Sequence, residues 1–230
     1  MPFTHTPRAP TSRPPAPRAA FLLALAITGA FAPAPAQAHP HVWVTAQERL
    51  VFDGAGHVTM VRHRWTFDRA FSAWATQGLD ADGDGVLSAG ELAGLAKENM
   101  DGLAEFGWFT RLRADGVKAT FLPPQNGAMS FADGQLTLTF DLPLEKPLPP
   151  GRAMMFEVSD PTYFVAFSIA GGDDAVKLEN APQGCVVTIT RPKPPQQPAG
   201  GDLSEAFFEG LGAASNYGGQ FANKVVAACP

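Results

Sequence analysis

The sequence predicts an α+β fold, mainly an antiparallel β sandwich or partial barrel with an inserted helix–loop–helix and a C-terminal helix. Two observations predict it. Most segments after residue 40 are short, alternate between apolar and polar residues, and are separated by turn dipeptides such as Asp-Gly. Between residues 67 and 106 the apolar spacing becomes that of a helix, on both sides of one acidic loop.

The first 38 residues have the order of a secretory signal peptide. Residues 1–18 contain three arginines and no acidic residue, residues 19–32 are almost wholly apolar, and Ala36-Gln37-Ala38 is a small-x-small cleavage box. The apolar stretch is too short to span a bilayer as a helix. We therefore predict cleavage after Ala38 and release into a bacterial periplasm, so that the mature protein does not span the membrane.

The mature protein would be acidic. Removal of the three N-terminal arginines leaves 14 basic residues against 22 acidic ones, which gives a net charge of −8 with neutral histidines, compared with −5 for the whole chain. This charge argues against nucleic acid or anionic lipid as a partner and suits cations. Its length suits one domain, or one domain with a small insert.

The elements of the mature chain follow in order. Residues 42–52 and 57–67 predict a hairpin, because both alternate and a Gly-containing turn separates them. Residues 67–79 and 91–106 have helical spacing and form the predicted insert at 67–106 within a β-rich domain at 39–190. Further strands are predicted at 108–113, 117–122, 135–142, 153–159, 164–170 and 186–190, followed by a Pro-rich linker at 191–202 and a helical segment at 203–230.

The loop between the two predicted helices fits a calcium-binding loop of the EF-hand type. Such a loop needs oxygen ligands at positions 1, 3, 5, 7, 9 and 12 and a glycine at position 6. A solvated acidic loop is the alternative, but a single complete loop predicts a stabilising Ca²⁺ site. The predicted ligands are Asp80, Asp82, Asp84, Val86 through its backbone carbonyl, Ser88 and Glu91, with Gly85 at the turn.

Histidines at the mature start suggest a second metal site. Cleavage would make His39 the first residue, with an α-amine and an imidazole together, and His41 would follow two residues later. Pro40 has no N–H and cannot supply a deprotonated amide, so amine and imidazole ligation of Zn²⁺, Ni²⁺ or Cu²⁺ is expected. His63 is a third candidate ligand on the returning strand. Its apolar neighbours at alternate positions favour the other interpretation, a core histidine.

The two cysteines of the chain are Cys185 and Cys229. In an oxidising compartment an even pair predicts a disulfide, which would tie the C-terminal segment to the last strand. A metal-binding thiol pair is the alternative, although neither cysteine belongs to a C-x-x-C motif.

Several motifs in this order resemble one bacterial family. That family is described as the periplasmic component of an ABC-type transport system, and also as a domain of unknown function. Its members are associated with permeases that resemble nickel and cobalt exporters. The resemblance therefore implies transition-metal handling beside an inner-membrane permease. The motifs are His-Pro-His-Val at 39–42, Arg-His-Arg-Trp-Thr-Phe-Asp at 62–68, the loop from 79, Leu-Ala-Lys-Glu-Asn at 95–99, Asp-Pro-Thr-Tyr-Phe-Val-Ala-Phe at 160–167 and Gly-Cys at 184–185.

Three functions are compatible with these residues. The first is a non-enzymatic periplasmic accessory protein that binds a transition metal through His39, His41 and His63 and exchanges it with a permease, while Ca²⁺ stabilises the fold. The second is a calcium-stabilised binding module without a transition metal. The third is a copper oxidoreductase with an N-terminal histidine brace completed by His63. Hydrolytic motifs such as G-x-S-x-G are absent from the sequence.

Overall fold

A computed structural model describes residues 40–192, 219 and 221–230. The predicted signal peptide, His39 and most of the predicted linker and C-terminal helix lie outside these residues. The helices are α1 (Arg69–Ala75) and α2 (Ala89–Leu103), and a 3-10 segment (Ala104–Phe109) follows α2. The strands are β1 (Val42–Phe52), β2 (Val58–Phe67), β3 (Thr110–Ala114), β4 (Val117–Lys118), β5 (Gln125–Ala132), β6 (Gln135–Leu148), β7 (Met154–Val158), β8 (Val165–Ile169), β9 (Val176–Glu179), β10 (Val186–Thr190) and β11 (Asn223–Ala228).

The strands form two sheets that do not close into a barrel. Sheet A has the order β5-β6-β2-β1-β8, with β9 also beside β1, and sheet B has the order β10-β11-β7-β3-β4. Most neighbours are antiparallel, as predicted, but β8 and β9 both run parallel to β1. The inward faces of the two sheets share one apolar core.

The predicted hairpin of β1 and β2 is confirmed and forms the centre of sheet A. Its register pairs Val44 with Phe67 and Leu50 with Val61. Along β1, every second residue is buried, which is the pattern expected of a strand with one face in the core. The register fixes which residue of β2 lies opposite each residue of β1, a relation that the alternation alone does not specify.

The helical insert is anchored on the β5–β6 hairpin at one edge of sheet A. Asp68 caps α1 by accepting a hydrogen bond from Phe71 N at 2.9 Å, and the Ser72 hydroxyl accepts one from Leu136 N of β6 at 2.9 Å. Helix α2 lies against β5 so closely that a Cβ added at Gly127 would be 2.8 Å from Met100 Cγ. Both ends of the acidic loop, residues 80–91, are thus fixed through their helices to the same hairpin.

The C-terminal prediction needs a correction, because β11 is a strand where the sequence predicted a helix. β11 pairs with β10 on one side and with β7 on the other. Its residues alternate between more and less buried positions, and Val225 and Ala227 enter the core. The apolar spacing of this segment is also compatible with a helix, and pairing with two neighbouring strands decides the outcome.

The predicted disulfide is confirmed. Cys185 and Cys229 are bonded, and their Cα atoms are 4.1 Å apart, beside the first residue of β10 and the last residue of β11. A disulfide is consistent with an exported protein. Among the described residues, no helix is long and apolar enough to cross a membrane.

Candidate functional site

Three carboxylates of the acidic loop lie together at the surface. One oxygen from each of Asp80, Asp82 and Asp84 lies within 4.8 Å of the other two, and all three residues are exposed. Three negative charges at this separation repel one another, and a divalent cation offsets the repulsion. The first three predicted side-chain ligands are therefore brought together by the loop.

Backbone N–H groups of the loop hold these carboxylates in place. The N–H of Gly85 donates to Asp80 Oδ2 at 3.0 Å, and the N–H of Val86 donates to Asp84 Oδ1 at 2.7 Å. Gly85 has a φ of +80°, in the left-handed region that glycine adopts without steric cost. The loop backbone thus turns at position 6, where the calcium-loop pattern requires glycine.

Glu91, the predicted closing ligand, forms the cap of α2. Its Oε2 accepts hydrogen bonds from Ser88 N and Ser88 Oγ, both at 2.8 Å, and the N–H of Glu91 donates to Ser88 Oγ, which completes a capping box. Oε1 accepts a hydrogen bond from Ala81 N at 2.7 Å. These hydrogen bonds lower the pKa of Glu91 below its ordinary value, and the bond from the Ser88 backbone N–H has the largest effect. The group is therefore ionised at neutral pH, but it must exchange hydrogen bonds to reach an ion.

The candidate histidines do not come together. His41 is exposed at the start of β1, where its ring stacks on Phe164 with the centroids 4.8 Å apart. His63 lies opposite Glu48, seven residues further along β1 than His41. At about 3.3 Å per residue, that separation is roughly 23 Å. His63 as a third ligand beside His41 is therefore wrong, and His39 lies outside the described residues.

The same finding argues against His63 as the second histidine of a copper brace. A brace requires a second histidine that reaches the N-terminal residue, and His63 was the candidate. Its side chain is fully buried between the sheets, roughly 23 Å along the hairpin from residue 41. The other interpretation of His63, a core histidine, agrees with this burial.

His63 belongs to a buried polar network that the sequence analysis did not find. Its Nδ1 is 2.6 Å from Glu48 Oε2, although the ring N–H is not aligned as a hydrogen-bond donor, and both side chains have no solvent exposure. Glu48 Oε1 accepts a hydrogen bond from Trp65 Nε1 at 3.0 Å, and His63 Nε2 lies 3.4 Å from Thr110 Oγ1 of sheet B. One sequence signal for Glu48 existed: it is a charged residue at an inward position of an otherwise apolar alternation.

Comparisons with known proteins give the family. The family model described as "Protein of unknown function (DUF1007)" matches residues 23–229. The chain is also similar to an uncharacterised 15.5 kDa protein in the trpE 3' region of Spirochaeta aurantia. The two are 30% identical over 114 residues, which cover 49% of this chain and 81% of that protein. The family match includes the whole of β11, beyond the motifs at 39–185, and this chain belongs to the DUF1007 family.

Proposed function

We propose that this protein is an exported calcium-binding protein in which Ca²⁺ binds the acidic loop and stabilises the attached edge of sheet A. The observation that carries the proposal is the convergence of the Asp80, Asp82 and Asp84 carboxylates within 4.8 Å, on a loop whose sequence fits every ligand position. Oxygen ligands of this kind suit Ca²⁺, a hard cation that takes six to eight of them.

The residues present fit the ion. Asp80, Asp82 and Asp84 would supply carboxylate oxygens, and Glu91 would supply a fourth carboxylate after exchange of its bonds to Ser88 and Ala81. The remaining ligands would be the Val86 carbonyl and Ser88. Extracellular modules of this type bind Ca²⁺ with dissociation constants of about 10⁻⁴–10⁻³ M, which is the range that we expect.

The fold indicates what calcium would accomplish. The loop joins α1 to α2. Helix α1 is hydrogen-bonded to β6, and α2 packs on β5. Within the described residues β5 is an edge strand, with β6 as its sheet neighbour. An ion that orders the loop would therefore fix two helices against an edge hairpin, which is a structural role and not the opening of a groove.

Ca²⁺ is expected to raise the melting temperature of the mature protein. At a concentration about 100-fold above the dissociation constant, binding adds about 2.7 kcal/mol, which corresponds to about 5–10 °C for a chain of this size. Glu91→Gln is expected to abolish most of that shift, since glutamine preserves the capping box but lacks the charge. The measurement is differential scanning calorimetry of residues 39–230 with Ca²⁺ and with Mg²⁺.

Glu98→Gln is the matched control, because Glu98 is exposed on the same helix and no calcium-loop position depends on it. This variant should retain the full calcium shift. An equal shift in Glu91→Gln, or an equal effect of Mg²⁺, would refute calcium binding at this loop.

A second candidate function is transition-metal exchange with an inner-membrane permease of the nickel and cobalt type in the periplasm. It is supported by the motif resemblance and by the exposure of His41 at the start of β1, close in sequence to His39. Zn²⁺, Ni²⁺ or Cu²⁺ would bind the His39 amine and imidazole together with His41, without His63.

His39→Ala/His41→Ala is expected to remove tight transition-metal binding while leaving the calcium shift intact. Native mass spectrometry of chelator-stripped protein that begins at an authentic His39 would count the ions bound. His57→Ala serves as the control, because His57 lies half-exposed in the β1–β2 turn, 3.9 Å from Asp53. Unchanged Zn²⁺, Ni²⁺ and Cu²⁺ binding in the double variant would refute the metal-exchange function and leave calcium binding as the remaining candidate.

A further inference from the structure

The outer face of sheet A carries a cleft of about 320 Å³ whose walls are rich in arginine. We call it the arginine cleft. The strand register brings its residues together: Arg49 lies opposite Arg62, and Arg64 lies between Gln47 on β1 and Thr139 on β6. Arginines directly opposite on neighbouring strands repel each other unless a negative charge offsets them. The arrangement therefore requires anions close by.

Arg62 is held within the protein by two ion pairs. Its Nε donates to Asp141 Oδ1 at 2.7 Å and its Nη1 donates to Glu179 Oε2 at 3.0 Å. Asp141 is only 8% exposed, and its second oxygen accepts a hydrogen bond from Asn126 Nδ2 at 2.9 Å. The hydrogen bond that Arg62 donates to Asp141 raises the pKa of Arg62 above its ordinary value. Arg62 and Asp141 thus form a fixed part of the wall.

The other two arginines have donors to spare. Arg49 Nε lies 3.3 Å from Glu179 Oε1, but its Nη1 is buried and has no hydrogen-bond acceptor among the described residues. Arg64 is exposed and forms no ion pair within the described part of the chain. A buried donor without an acceptor costs free energy. The Arg49 side chain is 30% exposed, and a rotation that brings Nη1 to an acceptor in the cleft would therefore be favoured.

Charge defines the kind of acceptor. The three arginines of the cleft, Asp141 in its wall and Glu179 beside it together leave one positive charge, although the chain as a whole carries −5. A singly charged anion balances this excess, whereas a doubly charged phosphate would overcompensate it. The planar fork of a guanidinium matches the two oxygens of a carboxylate.

We propose that the arginine cleft binds a carboxylate group, with Arg64 as the main contact and Arg49 Nη1 as a second donor. The neutral Gln47 and Thr139 side chains in the same cleft can add hydrogen bonds. The carboxylate would belong either to a small organic acid or to an Asp or Glu side chain of a partner protein. This site is independent of the acidic loop and of the N-terminal histidines.

Arginine Nε–H resonances, followed by NMR in the folded mature protein, test the proposal. The probes are sodium acetate and the capped peptide acetyl-Gly-Glu-Gly-amide, each at constant ionic strength against sodium chloride. We expect saturable shifts at Arg64 and Arg49 with at least one probe, in the millimolar range. Tighter binding of the peptide would indicate a partner's side chain, and equal or tighter binding of acetate would indicate a small acid.

Arg64→Gln is expected to weaken probe binding by about tenfold. Because Arg64 is exposed and forms no ion pair within the described chain, this variant should fold normally, which circular dichroism would verify. Arg152→Gln is the matched control, since it removes the same charge from an exposed position outside the cleft and should bind like wild type. Absence of saturable shifts, or equal affinity in Arg64→Gln, would overturn the proposal.

Discussion

His63→Leu is expected to lower the free energy of unfolding by about 3–5 kcal/mol. The substitution leaves the Glu48 carboxylate in the core without the imidazole that lies 2.6 Å from it. Both side chains are inaccessible to solvent, so water cannot replace the lost partner. Chemical denaturation followed by tryptophan fluorescence measures the change, with the same Ca²⁺ concentration in every sample.

A double-mutant cycle separates the interaction energy of Glu48 and His63 from the cost of lost packing. Glu48→Leu is also expected to be costly, because Trp65 Nε1 loses its acceptor and His63 loses its partner. Glu48→Leu/His63→Leu removes both polar groups and should cost clearly less than the sum of the single variants. Additive costs would mean that the two side chains do not interact.

The control for this cycle is His57→Leu, at a half-exposed histidine in the hairpin turn. A surface substitution of this kind changes stability by about 0.5 kcal/mol or less. If His63→Leu were no more destabilising than His57→Leu, the buried network would not contribute to the stability of the sandwich.

His63 also shows where the sequence stops being informative. Alternation predicted β1 and β2 closely, because one face of each strand enters the core. Which residue of β2 faces Glu48 depends on register, and a shift by one position would turn His63 to the other face of the sheet. The sequence therefore predicted the hairpin but not the separation of His63 from His41.

The acidic loop and the arginine cleft also differ in whether the sequence could predict them. The convergence of the three loop aspartates could be predicted, because the candidate ligands lie within twelve consecutive residues and their spacing alone gives the pattern. The arginine cleft combines residues of β1, β2, β5 and β6. Its residues become neighbours only through the order of the strands, so no local sequence pattern predicts the cleft. The placement of β11 between β10 and β7 escaped prediction for the same reason.

Loss of the disulfide is expected to be the other large effect. Cys185→Ser/Cys229→Ser should lower the free energy of unfolding by about 4 kcal/mol, because the bond closes a loop across a sequence separation of 44 residues and restricts the unfolded chain. Reduction of the wild-type protein should reproduce that loss, whereas a reductant should have no effect on the double variant. A loss below about 1 kcal/mol would contradict the loop-closure argument.

The position of the disulfide predicts which strand loses hydrogen-exchange protection first when the bond is removed. Among the strands that the structure describes, β10 is an edge strand of sheet B with β11 as its hydrogen-bonded neighbour, whereas β11 also pairs with β7. The bond links the ends of β10 and β11, so its removal should lower hydrogen-exchange protection in β10 more than in β7. Equal losses in both strands would instead show that the cross-link stabilises sheet B as one cooperative unit, because a local effect at the edge would leave β7 protected.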